Sequence, residues 1–179
     1  MPLHNKTLRI TTLALLAATA FMLSWLDSLI PVSGTLPGAK LGLANLAVLA
    51  GLYLLGPGFG AILCFFKILL ATFLFGNAYS FFYSFAGGVL SYLVMLLLRP
   101  HCSIIFVSVL GGMFHNVGQI LVAAVVLNTI GLLSYLPILL LCGLGAGCAI
   151  GVAGGILIAR CQKALNLSFS GKEHRHDPN

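Results

Sequence analysis

Long apolar stretches, separated by short breaks rich in Gly and Pro, make up most of this chain. Of its 179 residues, 60% are hydrophobic and only 7% are charged. A soluble globule needs far more polar surface, so this composition excludes one and predicts a polytopic membrane protein. Because a crossing helix needs about 20 mostly apolar residues, the length accommodates roughly six crossings and no second soluble domain.

The breaks divide the chain into six predicted helices, placed to within about four residues. Ala18-Thr19-Ala20 resembles a signal-peptide cleavage site, but the apolar run continues past it through Leu26, so we expect an uncleaved first helix. The prediction is an all-α bundle with one transmembrane domain over residues 1–165 and a polar tail over residues 166–179. The helices are placed near residues 8–28, 41–55, 59–75, 79–98, 103–127 and 136–161.

The basic residues indicate the orientation in the membrane. With a cytoplasmic N-terminus, the inside segments hold Lys6, Arg9, Arg99 and four basic residues near the C-terminus, whereas the outside loops hold only Lys40. The positive-inside rule then predicts that both termini and the polar tail are cytoplasmic. Because these residues are scattered at helix ends, the net charge of +6 does not predict nucleic-acid binding.

One basic residue, Lys67, lies in the middle of an apolar stretch that runs from Gly60 to Phe75. A lone ammonium at membrane depth is costly unless it faces a cavity or a partner, so Lys67 marks a candidate ligand contact. The structural alternative is an ion pair with Asp27, the only acidic residue of the membrane region.

Other polar side chains are predicted near the same depth. His115 lies near the midplane, and Gln119 shares its helix face by i, i+4 spacing. Asn116 is turned by about 100° and faces either the cavity edge or a neighbouring helix. Nearer the outside, the candidates for an outward-opening pocket are Asp27, Lys40, Asn45, Asn77 and Tyr83. The alternative for the amides and the imidazole is a structural hydrogen bond between helices, and for the tyrosine an interfacial anchor.

Small residues mark close helix contacts. Gly143, Gly147, Gly151 and Gly155 recur every four residues on the last helix, which permits close approach of another helix. We expect an internal neighbour in preference to a second protein, because six helices must already bury one another. Ala14 and Ala18 form a similar but weaker pair on the first helix.

Several classes of enzyme chemistry are excluded by the residues present. The acidic residues are Asp27, Glu173 and Asp177, too few and too far apart in the chain for a Mg²⁺-holding carboxylate cluster. The chain has no phosphate-binding loop and no nucleophile with a base and an orienting acid. Its five cysteines show no metal-ligand spacing. We therefore expect no catalysis, no metal and no cofactor.

Four segments carry a resemblance to a known family: residues 37–45 (PGAKLGLAN), 75–77 (FGN), 84–88 (SFAGG) and 115–119 (HNVGQ). They are similar to the Gx transporter family, also labelled heptaprenyl diphosphate synthase component I, over roughly residues 10–160. Members resemble the S components of energy-coupling factor (ECF) transporters, which are six-helix proteins. S components bind vitamins or other micronutrients from outside and dock on a membrane T subunit driven by two ATPases.

The resemblance implies roles for particular residues. Ala14 and Ala18 would form the docking face on the first helix, and Asp27 and Lys67 stand where a glutamate and an arginine are expected. Lys carries a compact ammonium group, whereas Arg carries a planar guanidinium group with several fixed donors. Lys in place of Arg at position 67 therefore changes the geometry with which a ligand is bound. The remaining positions would place Lys40 and Asn45 at the outer pocket rim, Asn77 at the next outer turn, and His115, Asn116 and Gln119 on the inward face of the fifth helix.

The sequence thus predicts an S component-like subunit that takes up a small vitamin or cofactor precursor across the bacterial cytoplasmic membrane. Its expected partners are the lipid bilayer, the small-molecule substrate, an ECF T subunit and two ABC ATPases. One alternative is a noncatalytic membrane subunit that supports heptaprenyl diphosphate synthesis. Another is a stand-alone secondary carrier, for which Asp27 is the only candidate coupling-ion residue. The identity of the substrate remains open.

Overall fold

A computed structural model describes residues 6–29, 42–75 and 78–173, and these residues contain helices and no strand. The all-α prediction is therefore confirmed for this part of the chain. The helices are α1 (Lys6–Leu29), α2 (Asn45–Leu54), α3 (Pro57–Phe75), α4 (Ala78–Leu98), α5 (Ile104–Val126), a short 3-10 helix (Ile130–Tyr135) and α6 (Leu136–Glu173).

The helix ends follow from local sequence. Ser103 caps α5 by accepting a hydrogen bond from the Phe106 backbone N–H at 3.4 Å. Asn128, with φ of +49°, follows the end of α5 in the left-handed conformation that Asn tolerates better than most residues. α6 continues to Glu173, well past the predicted end near residue 161. The predicted helix ends near residue 161 because the apolar run ends there. Residues 162–170, however, contain neither Gly nor Pro, so nothing in this segment ends the helix.

Within the described residues, four helices, α1, α4, α5 and α6, are long and apolar enough to cross a membrane, which indicates a membrane protein. α2 has only 10 residues and so extends about 15 Å, half the thickness of a typical hydrocarbon core. α2 is therefore too short to cross the hydrocarbon core by itself.

α2 is the central element of the bundle. It contacts α1, α3 and α6, and eight of its ten residues are buried. Val48, Leu49 and Leu52 are at most 1% exposed, and Leu46 and Tyr53 are half-buried, so no residue of the helix is fully exposed. A helix that is apolar on all sides is stable only when other helices surround it, and this one holds α1, α3 and α6 together.

The glycine stripe of α6 packs against α5, as predicted for an internal neighbour. A Cβ atom at Gly147 would lie 2.6 Å from the α5 backbone, and one at Gly143 would lie 2.9 Å from the Gly112 carbonyl oxygen. Gly151 makes a similar approach, whereas Gly155 has no neighbour within 4 Å among the described residues. Three of the four glycines thus permit backbone contact between α5 and α6.

Candidate ligand-binding site

Polar side chains from several helices converge on one cavity, which we name the lysine cavity. Its volume is about 30 Å³, enough for one or two water molecules. It is lined by Ser24 and Asp27 of α1, Gly42 and Ala44 before α2, Lys67 and Ile68 of α3, Ser84 of α4, and His115 and Gln119 of α5. Four residues predicted at separate places in the sequence, Asp27, Lys67, His115 and Gln119, therefore line the same space.

The ammonium of Lys67 is held by the start of α2. Its Nζ donates a hydrogen bond to the side-chain oxygen of Asn45, the first residue of that helix. Lys67 and Asn45 are 6% and 8% exposed, so the bond lies in the interior. Gly42 has a φ of +76°, a conformation that other residues rarely adopt, and its carbonyl accepts from the Asn45 backbone N–H at 2.8 Å. This turn aims the side chain of Asn45 at Lys67.

Two glycines bring α4 and α5 together beside the cavity. A Cβ atom at Gly87 would lie 2.6 Å from the His115 carbonyl oxygen and 3.2 Å from His115 Nδ1. A Cβ atom at Gly118 would lie 2.8 Å from the Gly87 Cα atom. Because neither glycine carries a side chain, the α4 backbone lies directly against the face of α5 that presents His115 and Gln119.

A second, smaller cavity lies next to the first, and we name it the serine cavity. Its volume is about 10 Å³, close to the minimum that holds one water molecule. His115 lines both cavities. The lining residues of the serine cavity are Asn45, Leu49, Ser91, Met95, Ser108, Gly111, Gly112, His115, Asn116, Gly143, Ala146, Gly147 and Ile150.

Asn116 links two helices. Its Nδ2 donates a hydrogen bond to the Leu139 carbonyl oxygen of α6 at 2.7 Å. This contact matches the structural alternative for a membrane amide, a hydrogen bond between helices. Asn116 lines the serine cavity but not the lysine cavity.

Four serines line the cavities although they were not predicted as site residues: Ser24 and Ser84 line the lysine cavity, and Ser91 and Ser108 line the serine cavity. The Ser24 and Ser91 hydroxyl groups are buried without a hydrogen-bond partner among the described residues, and they line the lysine and serine cavities respectively. Ser24 lies three residues before Asp27 and therefore shares its helix face. This spacing is the sequence feature from which Ser24 could have been predicted. Ser84 and Ser91 belong to a small-residue stripe of α4 that also permits helix packing.

Several predicted residues do not join the cavity. Tyr83 is half-buried and lines neither cavity. Lys40 and Asn77, with most of the connection between α1 and α2, lie outside the described residues. Ala14 and Ala18 lie on an exposed face of α1, away from the cavity.

The lysine cavity combines one cation, one carboxylate, an imidazole, an amide and hydroxyl groups. The N-terminus of α2 adds a partial positive charge on the side of Lys67. Asp27 and Lys67 are 5% and 6% exposed. Such a set of groups can bind a small polar molecule through charge-assisted hydrogen bonds.

The fold and the cavity define a helical membrane protein with a buried polar site. Residues 16–157 match the family model described as heptaprenyl diphosphate synthase component I. The match covers most of the chain, so the protein belongs to that family, as its motifs indicated. No curated protein and no solved structure matches the chain.

Proposed function

We propose that this protein is the substrate-binding subunit of an ECF-type transporter and takes up a small vitamin or cofactor precursor. The observation that carries the proposal is the lysine cavity, where Asp27, Lys67, His115 and Gln119 meet inside a membrane bundle. Burial of both charged groups is costly, and charged residues at membrane depth typically serve substrate or ion pathways. These four residues would contact the polar part of the substrate.

The dimensions of the cavity imply movement. Pockets for small molecules typically have volumes of about 300–1,000 Å³, whereas the lysine cavity has about 30 Å³. Substrate entry therefore requires the helices around the cavity to separate. Gly42 and Ala44 form one wall of the cavity just before α2, and we propose that this wall opens to admit the substrate.

The proposed orientation follows from the charges at the helix ends. With both termini in the bacterial cytoplasm, Asp27 and Ala44 lie in the outer half of the membrane, and the wall beside them opens outward. All six α-helices would then alternate in direction through the bilayer, with α2 reaching only to mid-depth because of its length. Substrate would enter from outside the cell.

The proposed partners are a T subunit and two ABC ATPases, since the chain itself has no phosphate-binding loop. Ala14 and Ala18 are exposed on α1, and Ile10 on the same face is 66% exposed. Two small residues one turn apart allow another helix to approach closely. Their exposure supports α1 as the docking surface for the T subunit.

A second candidate function rests on the family description, which names a component of heptaprenyl diphosphate synthase. In this alternative, the protein is a noncatalytic membrane subunit, and a soluble partner supplies the carboxylates that hold Mg²⁺. Lys67 would then meet the diphosphate of a prenyl chain. The experiment below distinguishes the two candidates by the partner that is recovered.

The test is an affinity purification of the tagged protein from its native membranes in mild detergent, followed by identification of every copurified chain. The transporter proposal predicts a T-type membrane subunit and two ATPases. Replacement of Ala14 and Ala18 by Leu should abolish their recovery without lowering the yield of the folded protein. Recovery of a soluble prenyltransferase in place of these subunits would contradict the proposal and support the alternative.

A further inference from the structure

The buried stripe of α1 changes from apolar to polar where it reaches the lysine cavity. Leu16, Ala20, Ser24 and Asp27 follow one another at three- or four-residue spacing, and each is at most 5% exposed. Leu16 and Ala20 are apolar, as is usual where membrane helices pack together, whereas Ser24 and Asp27 line the cavity. The polar part of the stripe therefore coincides with the cavity wall.

The Ser24 hydroxyl differs from two other hydroxyl groups of the same helix. Thr11 Oγ1 donates a hydrogen bond to the Thr7 carbonyl oxygen at 3.0 Å. Thr19 Oγ1 donates in the same way to the Leu15 carbonyl oxygen at 2.9 Å. Such bonds to the preceding turn are common for hydroxyl groups in helices, but Ser24 makes none and is buried without a hydrogen-bond partner among the described residues.

A buried hydroxyl that bonds to nothing is unfavourable, because it has lost its hydrogen bonds to water. Ser24 is 4% exposed, and the space that its side chain lines is the lysine cavity. The favourable arrangement is therefore one in which a molecule inside the cavity forms the hydrogen bond. In the closed cavity, whose volume suits one or two water molecules, water can form it.

We propose that Ser24 is a substrate contact and that the substrate presents an oxygen- or nitrogen-bearing group to the α1 wall. This inference rests on the proposed function, because it names a specificity-determining residue of the same site. The contact is a neutral hydrogen bond, so it does not depend on how the charges of Asp27 and Lys67 are compensated.

The contact also defines the class of molecule that the cavity selects. A hydroxyl, carbonyl or amide group can replace the hydrogen bond that water makes to Ser24. A hydrocarbon group displaces the water without replacing the bond, and so binds less tightly. The end of the substrate that enters the lysine cavity is therefore polar, and a hydrocarbon part of the molecule lies elsewhere.

Ser24→Ala tests the contact, and Ser91→Ala is its matched control. Both hydroxyl groups are buried without a partner in the part of the chain that the structure describes, but Ser91 lines the serine cavity and not the lysine cavity. The probe is the small molecule that copurifies with the wild-type protein from its native membranes. It is released by denaturation, identified by mass spectrometry and titrated onto the full-length protein after removal of bound molecules by detergent exchange.

Native mass spectrometry measures the bound fraction at each concentration of the probe. We expect Ser24→Ala to bind the probe about tenfold less tightly than the wild type, as the loss of one hydrogen bond implies, and Ser91→Ala to bind it as tightly as the wild type. Equal affinities of Ser24→Ala and the wild type would overturn the inference and leave the proposed function standing. An equal loss in Ser91→Ala would indicate a general packing effect and would also overturn it. A wild-type protein that retains no molecule would remove the proposed function as well.

The stability of the protein without the probe separates a substrate contact from a structural role. Because the Ser24 hydroxyl has no partner among the described residues, Ser24→Ala should shift the unfolding temperature of the emptied protein by less than about 4 °C. A larger decrease would show that the hydroxyl bonds within the folded chain, which would contradict its role as a substrate contact.

Discussion

The hydrogen bond between Lys67 and Asn45 should contribute measurably to the free energy of unfolding. Asn45→Leu keeps the number and branching of the side-chain heavy atoms but removes the acceptor for the Lys67 ammonium. A hydrogen bond to a charged group contributes about 1.5–3 kcal/mol, and with the two side chains only 6% and 8% exposed, water does not readily replace the lost acceptor. We therefore expect Asn45→Leu to lower the free energy of unfolding by about 2–3 kcal/mol.

A double-mutant cycle isolates this bond from other effects. Lys67→Met removes the donor, and Asp27 is affected equally in both Lys67→Met proteins, so its contribution cancels in the cycle. The free energy of unfolding is measured by reversible titration with SDS in mixed micelles for the wild type, both single variants and the double variant. We predict a coupling energy of about 1.5–3 kcal/mol. An equal loss from Asn45→Leu with Lys67 or with Met at position 67 would refute the reasoning.

Three further predictions address the packing and the orientation. Gly147→Ala places a Cβ atom 2.6 Å from the α5 backbone and should lower stability by about 1–3 kcal/mol. Gly145→Ala, which has no neighbour within 4 Å in the described part of the chain, should change stability little, and thermal unfolding in detergent compares the two variants. Asn116→Leu should lower stability by about 1–3 kcal/mol because the buried Leu139 carbonyl loses its donor, and an unchanged melting temperature would contradict this. Green fluorescent protein fused to either terminus should fluoresce, as expected for cytoplasmic termini, and a dark C-terminal fusion in a stably expressed protein would reverse the orientation.

Most of the fold was predictable because helix breaks and apolar runs are local features. Gly56 lies between α2 and α3, Pro57 is the first residue of α3, and Pro100 lies in the turn between α4 and α5. The short length of α2 was harder to predict from the sequence. Its residues are apolar enough for a helix from residue 41, but the helix begins at Asn45, where the side chain bonds to Lys67 on a neighbouring helix. Tertiary contacts of this kind do not appear in a hydropathy pattern.

The site was predictable in part because charge at membrane depth is rare. Lys67 and Asp27 stood out by charge alone, and the i, i+4 spacing of His115 and Gln119 placed both on one face. The role of Asn116 depended on which helix packs beside α5, and spacing alone left that open. The cavity volume likewise depends on backbone approach, such as that between α4 and α5, which is set by three-dimensional packing.

The proposed function requires the buried Lys67 to contact a bound small molecule. Native mass spectrometry of the full chain, released from detergent after purification from its own membranes, detects such a molecule. We predict a bound small-molecule mass on the wild type that is lost in Lys67→Met and kept in Lys163→Met, a control that removes an exposed lysine from α6. Equal occupancy in Lys67→Met and the wild type would contradict the claim, as would a wild-type protein that carries no bound molecule.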